Sequence, residues 1–184
     1  ARHPTPALVP ESPGERARVR STAGPAPDRL ADLHALFADD AVAGIVCARG
    51  GAGAIGLLQG LDLDLLRAHP KVFVGYSDLT LVHLALGRLG HVSVHGPMVS
   101  RELADDAFDR ASFEAAVAGK GQPYASEPDE LMALRDGEAG GILRGGCLAL
   151  LAAAAGTPWA LRPTGDTILF LEDVDEPYYR IGRF

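Results

Sequence analysis

The sequence predicts an α/β fold: a mostly parallel sheet with helices on both faces. Candidate strands are short and continuously apolar, as strands buried on both faces are. Candidate helices separate them in turn, the alternation of a layered α/β domain. Polar and glycine-rich clusters follow three strands, at Gly50-Gly51, Ser77-Asp78 and Glu172-Asp173. Such sheets gather their chemistry at the carboxyl ends of their strands. A length of 184 residues suggests one domain, with room for an appendage, and a hydrophobic content of 47% supports a real core.

Residues 1–27 hold Pro4, Pro6, Pro10, Pro13, Pro25 and Pro27 and show no sustained period. They read as a linker or weakly ordered segment, with a short strand around Ala17–Arg20. The α/β domain is expected over 28–184. Asp28 to Phe37 is helical by the spacing of Leu30, Leu33, Leu36 and Phe37, with Asp28 as its cap. Ala43 to Ala48 is a buried strand that ends in the glycine-rich turn Arg49 to Ala54. Short helices follow at Ile55–Gln59 and Asp62–Ala68, the second stopped by His69-Pro70.

Val72, Phe73 and Val74 form the central strand. An apolar helix from Leu79 to Leu89 follows the turn at Ser77 and stops at Gly90, and Val92–Val94 is a further strand. Residues 101–118 read as helix with Phe108, Phe113, Ala116 and Val117 inward. Residues 119–141 are polar, with a hairpin near Pro123-Tyr124. Gly141 to Cys147 leads into the helix Leu148–Ala155, which Gly156 and Pro158 stop, and Thr167–Leu171 is the last strand.

The net charge of −7 argues against nucleic-acid or anionic-membrane partners, which call for a basic face. No apolar run approaches membrane-spanning length, and no signal-peptide pattern opens the chain. Cys47 and Cys147 have no second Cys or His at ligand spacing, so zinc is not indicated. Two cysteines without a framework fit a reducing compartment.

Ser77 sits where a strand turns sharply into a helix. Its hydroxyl is lifted clear of the sheet beside the free N–H groups of the first turn, which suits a nucleophile with an oxyanion site. The structural alternative is that Ser77 or Asp78 only caps the helix. Leu79 also stands where the second glycine of G-x-S-x-G would be. Glu172 follows another apolar strand and can share a sheet rim with Ser77. Serine then carboxylate is part of a known triad order, but no histidine follows His95. His83 reads as facing the surroundings of its helix, and His95 as a structural histidine bonding backbone. Gly51 to Gly56 fits G-x-G-x-x-G, yet its helix is cut short by Gly60 and no acidic residue ends the next strand. Gly51 is better read as offering its N–H to an oxyanion.

Several stretches together carry a resemblance. They are Arg29–His34, Arg49-Gly50-Gly51, Pro70–Thr80, His95-Gly96-Pro97-Met98, Arg144-Gly145-Gly146, Ile168–Val174 and Glu176–Ile181. In order and spacing, the sequence resembles the LD-carboxypeptidase family: muramoyltetrapeptide carboxypeptidases and their microcin-immunity relatives. The resemblance implies that Ser77 is the nucleophile and Glu172 the acid that orients a histidine base. It implies an oxyanion hole from the backbone N–H groups of Asp78 and Gly51, beside Gly50. The reaction implied is removal of a terminal D-alanine from an L,D-linked cell-wall tetrapeptide, in cytoplasmic peptidoglycan recycling, with no metal or cofactor. The partner implied is a muropeptide or similar small peptide, and homodimers occur in the family. The alternative is a non-catalytic peptide-binding or immunity-like module at the same site.

Cys147, Ala52 and Gly182 depart from the residues usual there, Asn, an aromatic and Asp respectively. The family's opening strand and helix have no clear match in residues 1–27. Its second domain, which supplies the histidine, is expected to begin about where the chain stops. The chain is therefore expected to be partial and, alone, weak or inactive.

Overall fold

A computed structural model describes residues 23–106, 108–120 and 132–184. The strand expected near Ala17–Arg20 and the hairpin near Pro123-Tyr124 lie outside the described residues.

Helix α1, Ala26–Ala38, opens at Pro25 with a proline in its first turn and no side-chain cap. Proline's fixed φ suits that position. Asp28 therefore does not cap the helix as expected; it lies in the first turn, where a carboxylate favours the helix dipole. Leu33 and Phe37 face the core, whereas Leu36, expected inward, is exposed. Strand β1, Gly44–Val46, leads through the glycine turn to helices α2, Ile55–Leu58, and α3, Leu63–Ala68. Asp62 caps α3, accepting from the N–H groups of Asp64 and Leu65 at 3.1 and 2.9 Å.

Strand β2, Val72–Gly75, is followed by a 3₁₀ turn, Ser77–Leu79, helix α4, Thr80–Arg88, and strand β3, Val94–His95. The three strands form one parallel sheet in the order β1-β2-β3, with Gly44 opposite Val72 and Gly75 opposite His95. Phe37, Leu66, Phe73, Leu81, Val82 and Leu86 are almost fully buried in the core beneath it. Helix α1 packs on α2 and α3, and α4 on α2.

Only part of the helix expected over 101–118 forms, as α5, Arg110–Val117. Residues 101–106 make turns, Asp106 takes a left-handed φ of 53°, and the Asp109 carboxylate caps the helix from Ser112 N at 3.0 Å. Short acidic side chains that bond their own backbone favour such breaks. The buried position is Ala115, not Ala116.

Strand β4, Ile142–Cys147, helix α6, Leu148–Ala154, and strand β5, Thr167–Glu172, form a second unit. The strands pair in parallel with Cys147 opposite Glu172. Among the described residues all paired strands are parallel, as expected, but they make two sheets rather than one. Helix α6 packs on α4 and joins the units. Gly146 has φ 136°, and a Cβ there would lie 2.7 Å from Thr80 Oγ1, so glycine lets β4 meet the start of α4. The chain ends in a short helix α7, Tyr178–Ile181.

Candidate active site

The site begins with the backbone of Ser77. Buried β2 delivers the chain to this residue, which takes φ 60°. That left-handed conformation is uncommon for a non-glycine residue and stores strain. The turn is closed by Leu79 N donating to the Tyr76 carbonyl at 3.3 Å. The Gly50 main chain packs directly against the serine. A Cβ on Gly50 would lie 3.2 Å from Ser77 Oγ and 3.7 Å from Asp78 N.

The Asp78 carboxylate is buried and caps neither its own turn nor α4. It accepts from the N–H groups of Gly53 and Ala54 at 2.7 and 2.8 Å. One aspartate thus pins the glycine loop to the serine turn. These bonds also weigh against a dinucleotide at Gly51–Gly56. The N–H groups of Gly53 and Ala54 already hold an anion of the protein's own, and α2 is only Ile55–Leu58.

Strand β5 carries Glu172 to the opposite wall. The next residue fixes it there: Asp173 Oδ2 accepts from Ala149 N at 2.8 Å, tying the end of β5 to the start of α6. Cys147 N donates to Thr80 Oγ1 at 3.1 Å, which anchors β4 to α4. Between the walls lies a pocket of about 510 Å³ whose lining includes Gly50, Gly51, Tyr76, Ser77, Cys147 and Glu172. Burial, with Asp173 close by, pushes the Glu172 carboxyl above the usual carboxylate range.

Two histidines stand behind the pocket. His83 is fixed at both ring nitrogens, with Nε2 2.8 Å from the Gly75 carbonyl and Nδ1 2.7 Å from Ser93 Oγ. The carbonyl can only accept, so Nε2 carries the proton and Nδ1 accepts from the serine. Burial lowers His83 to about 4, against the pull of the Gly75 carbonyl, and nearby His95 adds to the lowering. His95, at the end of β3, places Nε2 3.8 Å from Glu172 Oε1. On the pocket's other side Tyr76 donates to Glu102 Oε1 at 2.6 Å, and Glu102 Oε2 accepts from Met98 N at 3.1 Å.

Ser77, Gly50, Gly51 and Glu172 therefore line one pocket, with Asp78 immediately behind it. The sequence reading missed the loop-pinning role of the Asp78 carboxylate and the approach of His95 to Glu172. It also missed the Tyr76–Glu102 pair. The available signals were His95 at a strand end and Tyr76 directly before the serine. Among the described residues, no group of three His, Cys, Asp or Glu side chains is arranged to hold a metal ion. Cys47 is partly buried, and burial pushes its thiol up to about 12, which disfavours the reactive thiolate.

A parallel α/β domain that presents a strained serine, a glycine main chain and a carboxylate at its strand ends has the layout of a hydrolase. Comparison with known proteins gives the family. A model described as the LD-carboxypeptidase N-terminal domain matches residues 7–96, and one described as the LD-carboxypeptidase C-terminal domain matches residues 140–184. The chain belongs to the LD-carboxypeptidase family. A probable murein peptide carboxypeptidase of Bacillus subtilis is 42% identical over 165 residues, covering 88% of this chain and 51% of that protein. A murein tetrapeptide carboxypeptidase of Pseudomonas aeruginosa is 35% identical over 178 residues, covering 91% of this chain and 57% of that protein. The crystal structure of a muramoyltetrapeptide carboxypeptidase from Oxalobacter formigenes is 31% identical with a TM-score of 0.73, covering 89% of this chain and 56% of that one.

The chain spans about half the length of the curated relatives it matches. The first match opens at residue 7, inside the segment read from sequence as a linker. The second opens at 140, well before the end of the chain, where the second domain was expected to begin.

Proposed function

We propose that this chain carries the nucleophile and the orienting acid of a serine-type LD-carboxypeptidase that removes a terminal D-alanine from L,D-linked cell-wall tetrapeptides. The observation that carries the reading is Ser77 at φ 60°, packed against Gly50 and sharing a pocket with Glu172. Ser77 Oγ attacks the amide carbonyl between the L-configured centre and D-alanine. The serine proton passes through a histidine base to the leaving amine. The C–N bond breaks, an ester forms on Ser77, and water releases it. The N–H groups of Gly51 and Asp78 receive the oxyanion. Glu172 orients the base. By family resemblance that histidine belongs to the C-terminal domain, and this sequence has no histidine after His95. The names of the relatives support a murein peptide substrate, and the role read here is cytoplasmic recycling of cell-wall peptides.

The test is D-alanine release from the tetrapeptide by two forms: the 184-residue chain, and one extended past Phe184 through the family's C-terminal domain. Triad members act as a unit, so release by the extended form should fall on the order of 10⁴-fold or more in its Ser77→Ala variant. The shorter chain should be weaker than the extended form by a similar factor. Undiminished release from Ser77→Ala would overturn the serine assignment. No release from a folded extended form would overturn the carboxypeptidase reading and leave peptide binding without turnover.

A further inference from the structure

We propose that His95 is a positioning residue for Glu172: its Nε2 holds Oε1 from behind the pocket and fixes which face of the carboxylate is presented forward. The role rests on the reading of Glu172 as the orienting acid. The geometry is specific. Glu172 Oε1 is buried and has no hydrogen-bond partner among the described residues, while about a third of the side chain stays exposed, at 32%. That exposed remainder lines the pocket. His95 Nε2 lies 3.8 Å from Oε1. This is an ionic contact just beyond hydrogen-bond length. A buried carboxylate oxygen with no donor is costly, so a small rotation that brings Nε2–H onto it is favourable.

His95 is itself held in place. Its backbone is registered against Gly75, and Gly96 N donates to the Gly75 carbonyl at 3.3 Å. Its ring lies edge-on to Phe170 at 5.1 Å and tilted against Tyr76 at 5.8 Å. Its Nδ1 is buried and, among the described residues, without a hydrogen-bond partner, while neighbouring polar side chains are bonded elsewhere. His83, 6.1 Å away, is bonded at both nitrogens, and the Tyr76 hydroxyl donates to Glu102. Asp173 turns to the N–H of Ala149 instead. Glu172 Oε1, itself without a partner among the described residues, is the acceptor seen in reach of His95 Nε2. The end of β2 that sets Ser77 also sets this histidine, since His95 pairs with Gly75, two residues before Ser77. Burial lowers His95 and raises Glu172.

The first experiment is a side-chain NMR titration of the 184-residue chain, comparing wild type, His95→Gln and Glu172→Gln. Two groups in contact stabilise each other's charged forms. Glu172→Gln should therefore lower the His95 midpoint, and His95→Gln should raise that of Glu172. Each shift should be at least about 0.8 pH unit, the Coulomb value at this separation in bulk water. Unmoved midpoints in the folded variants would overturn the proposal. The second experiment is kinetic, in the extended form. His95→Leu should lower kcat about tenfold with KM little changed, and His95→Gln, which keeps an N–H donor, should recover most of the loss. An equal loss in both variants, or a loss confined to KM, would overturn the positioning role. The titration does not depend on Ser77 reactivity. Coupling that survives alongside an unreactive Ser77 would leave His95 placed and refute only the serine reading.

Discussion

At the scale of single residues, the site depends on polar groups that each have one task. Asp78 shows this best. Its carboxylate satisfies two buried N–H groups of the glycine loop at 2.7 and 2.8 Å. Asp78→Ala would strand both donors, and the expected cost is about 3 kcal/mol in urea unfolding, with loss of the pocket's shape. Unchanged stability would show that water replaces the carboxylate without cost. His83 gives a pH signature. Its folded value of about 4 lies below the ordinary 6.5 of the unfolded chain. Above pH 6.5 the residue is neutral in both states and contributes no pH dependence. Between pH 6.5 and 4 only the unfolded chain takes up the proton, so stability falls, by roughly 3 kcal/mol in all. His83→Gln should flatten that part of the pH–stability curve; a curve of unchanged slope would refute the assignment. Ser77 and Glu172 were legible as candidates because each directly follows an apolar strand. The partners of Asp78 and His95 were not. They lie in distant parts of the sequence, and no local spacing encodes a contact across a sheet.

At the scale of elements, glycines decide how closely the strand ends approach. A Cβ on Gly50 would stand 3.1 Å from Ser77 Cβ and 3.2 Å from its Oγ. Gly50→Ala should therefore displace the serine and lower D-alanine release by the extended form at least tenfold with modest loss of stability, because the turn is exposed on its pocket side. Full activity in Gly50→Ala would show that the close approach is not needed. The strand–turn–helix units were readable because apolar runs and glycine stops are local signals. Three features were not readable. The helix over 101–118 breaks where Asp106 and Asp109 bond their own surroundings. Helix α1 starts on proline rather than on Asp28. Among the described residues the strands divide into two sheets, which periodicity cannot report, since a parallel strand has the same pattern whichever sheet it joins.

At the scale of the whole molecule, the second unit leaves apolar side chains in solvent. Ile142, Leu143, Leu169 and Leu171 are 54, 62, 53 and 52% exposed, and Tyr178 is 94% exposed. By register Ile142, Leu169 and Leu171 share one face of the β4–β5 pair and Leu143 lies on the other, and apolar side chains exposed in this way promote association. The 184-residue chain is expected to show concentration-dependent self-association in analytical ultracentrifugation, reduced by the double change Leu143→Lys and Leu169→Lys. A strictly monomeric wild-type chain would refute this. The family matches bear on the same region: residues 140–184 align with the C-terminal domain, whereas their sequence alone reads as a continuation of the α/β alternation. Local pattern could not place that boundary, because β4–α6–β5 repeats the strand–helix–strand grammar of the first sheet. The fold class was legible in these local patterns.

The central claim is that Ser77 forms the bond to the substrate. Its most direct test is mass spectrometry of acid-quenched turnover of the L,D-tetrapeptide by the extended form, beside its Ser77→Ala variant. The account predicts an ester-linked peptidyl adduct on the fragment that contains Ser77, with D-alanine released in step and both signals lost in the variant. An adduct on another residue, or D-alanine release undiminished in Ser77→Ala, would contradict it.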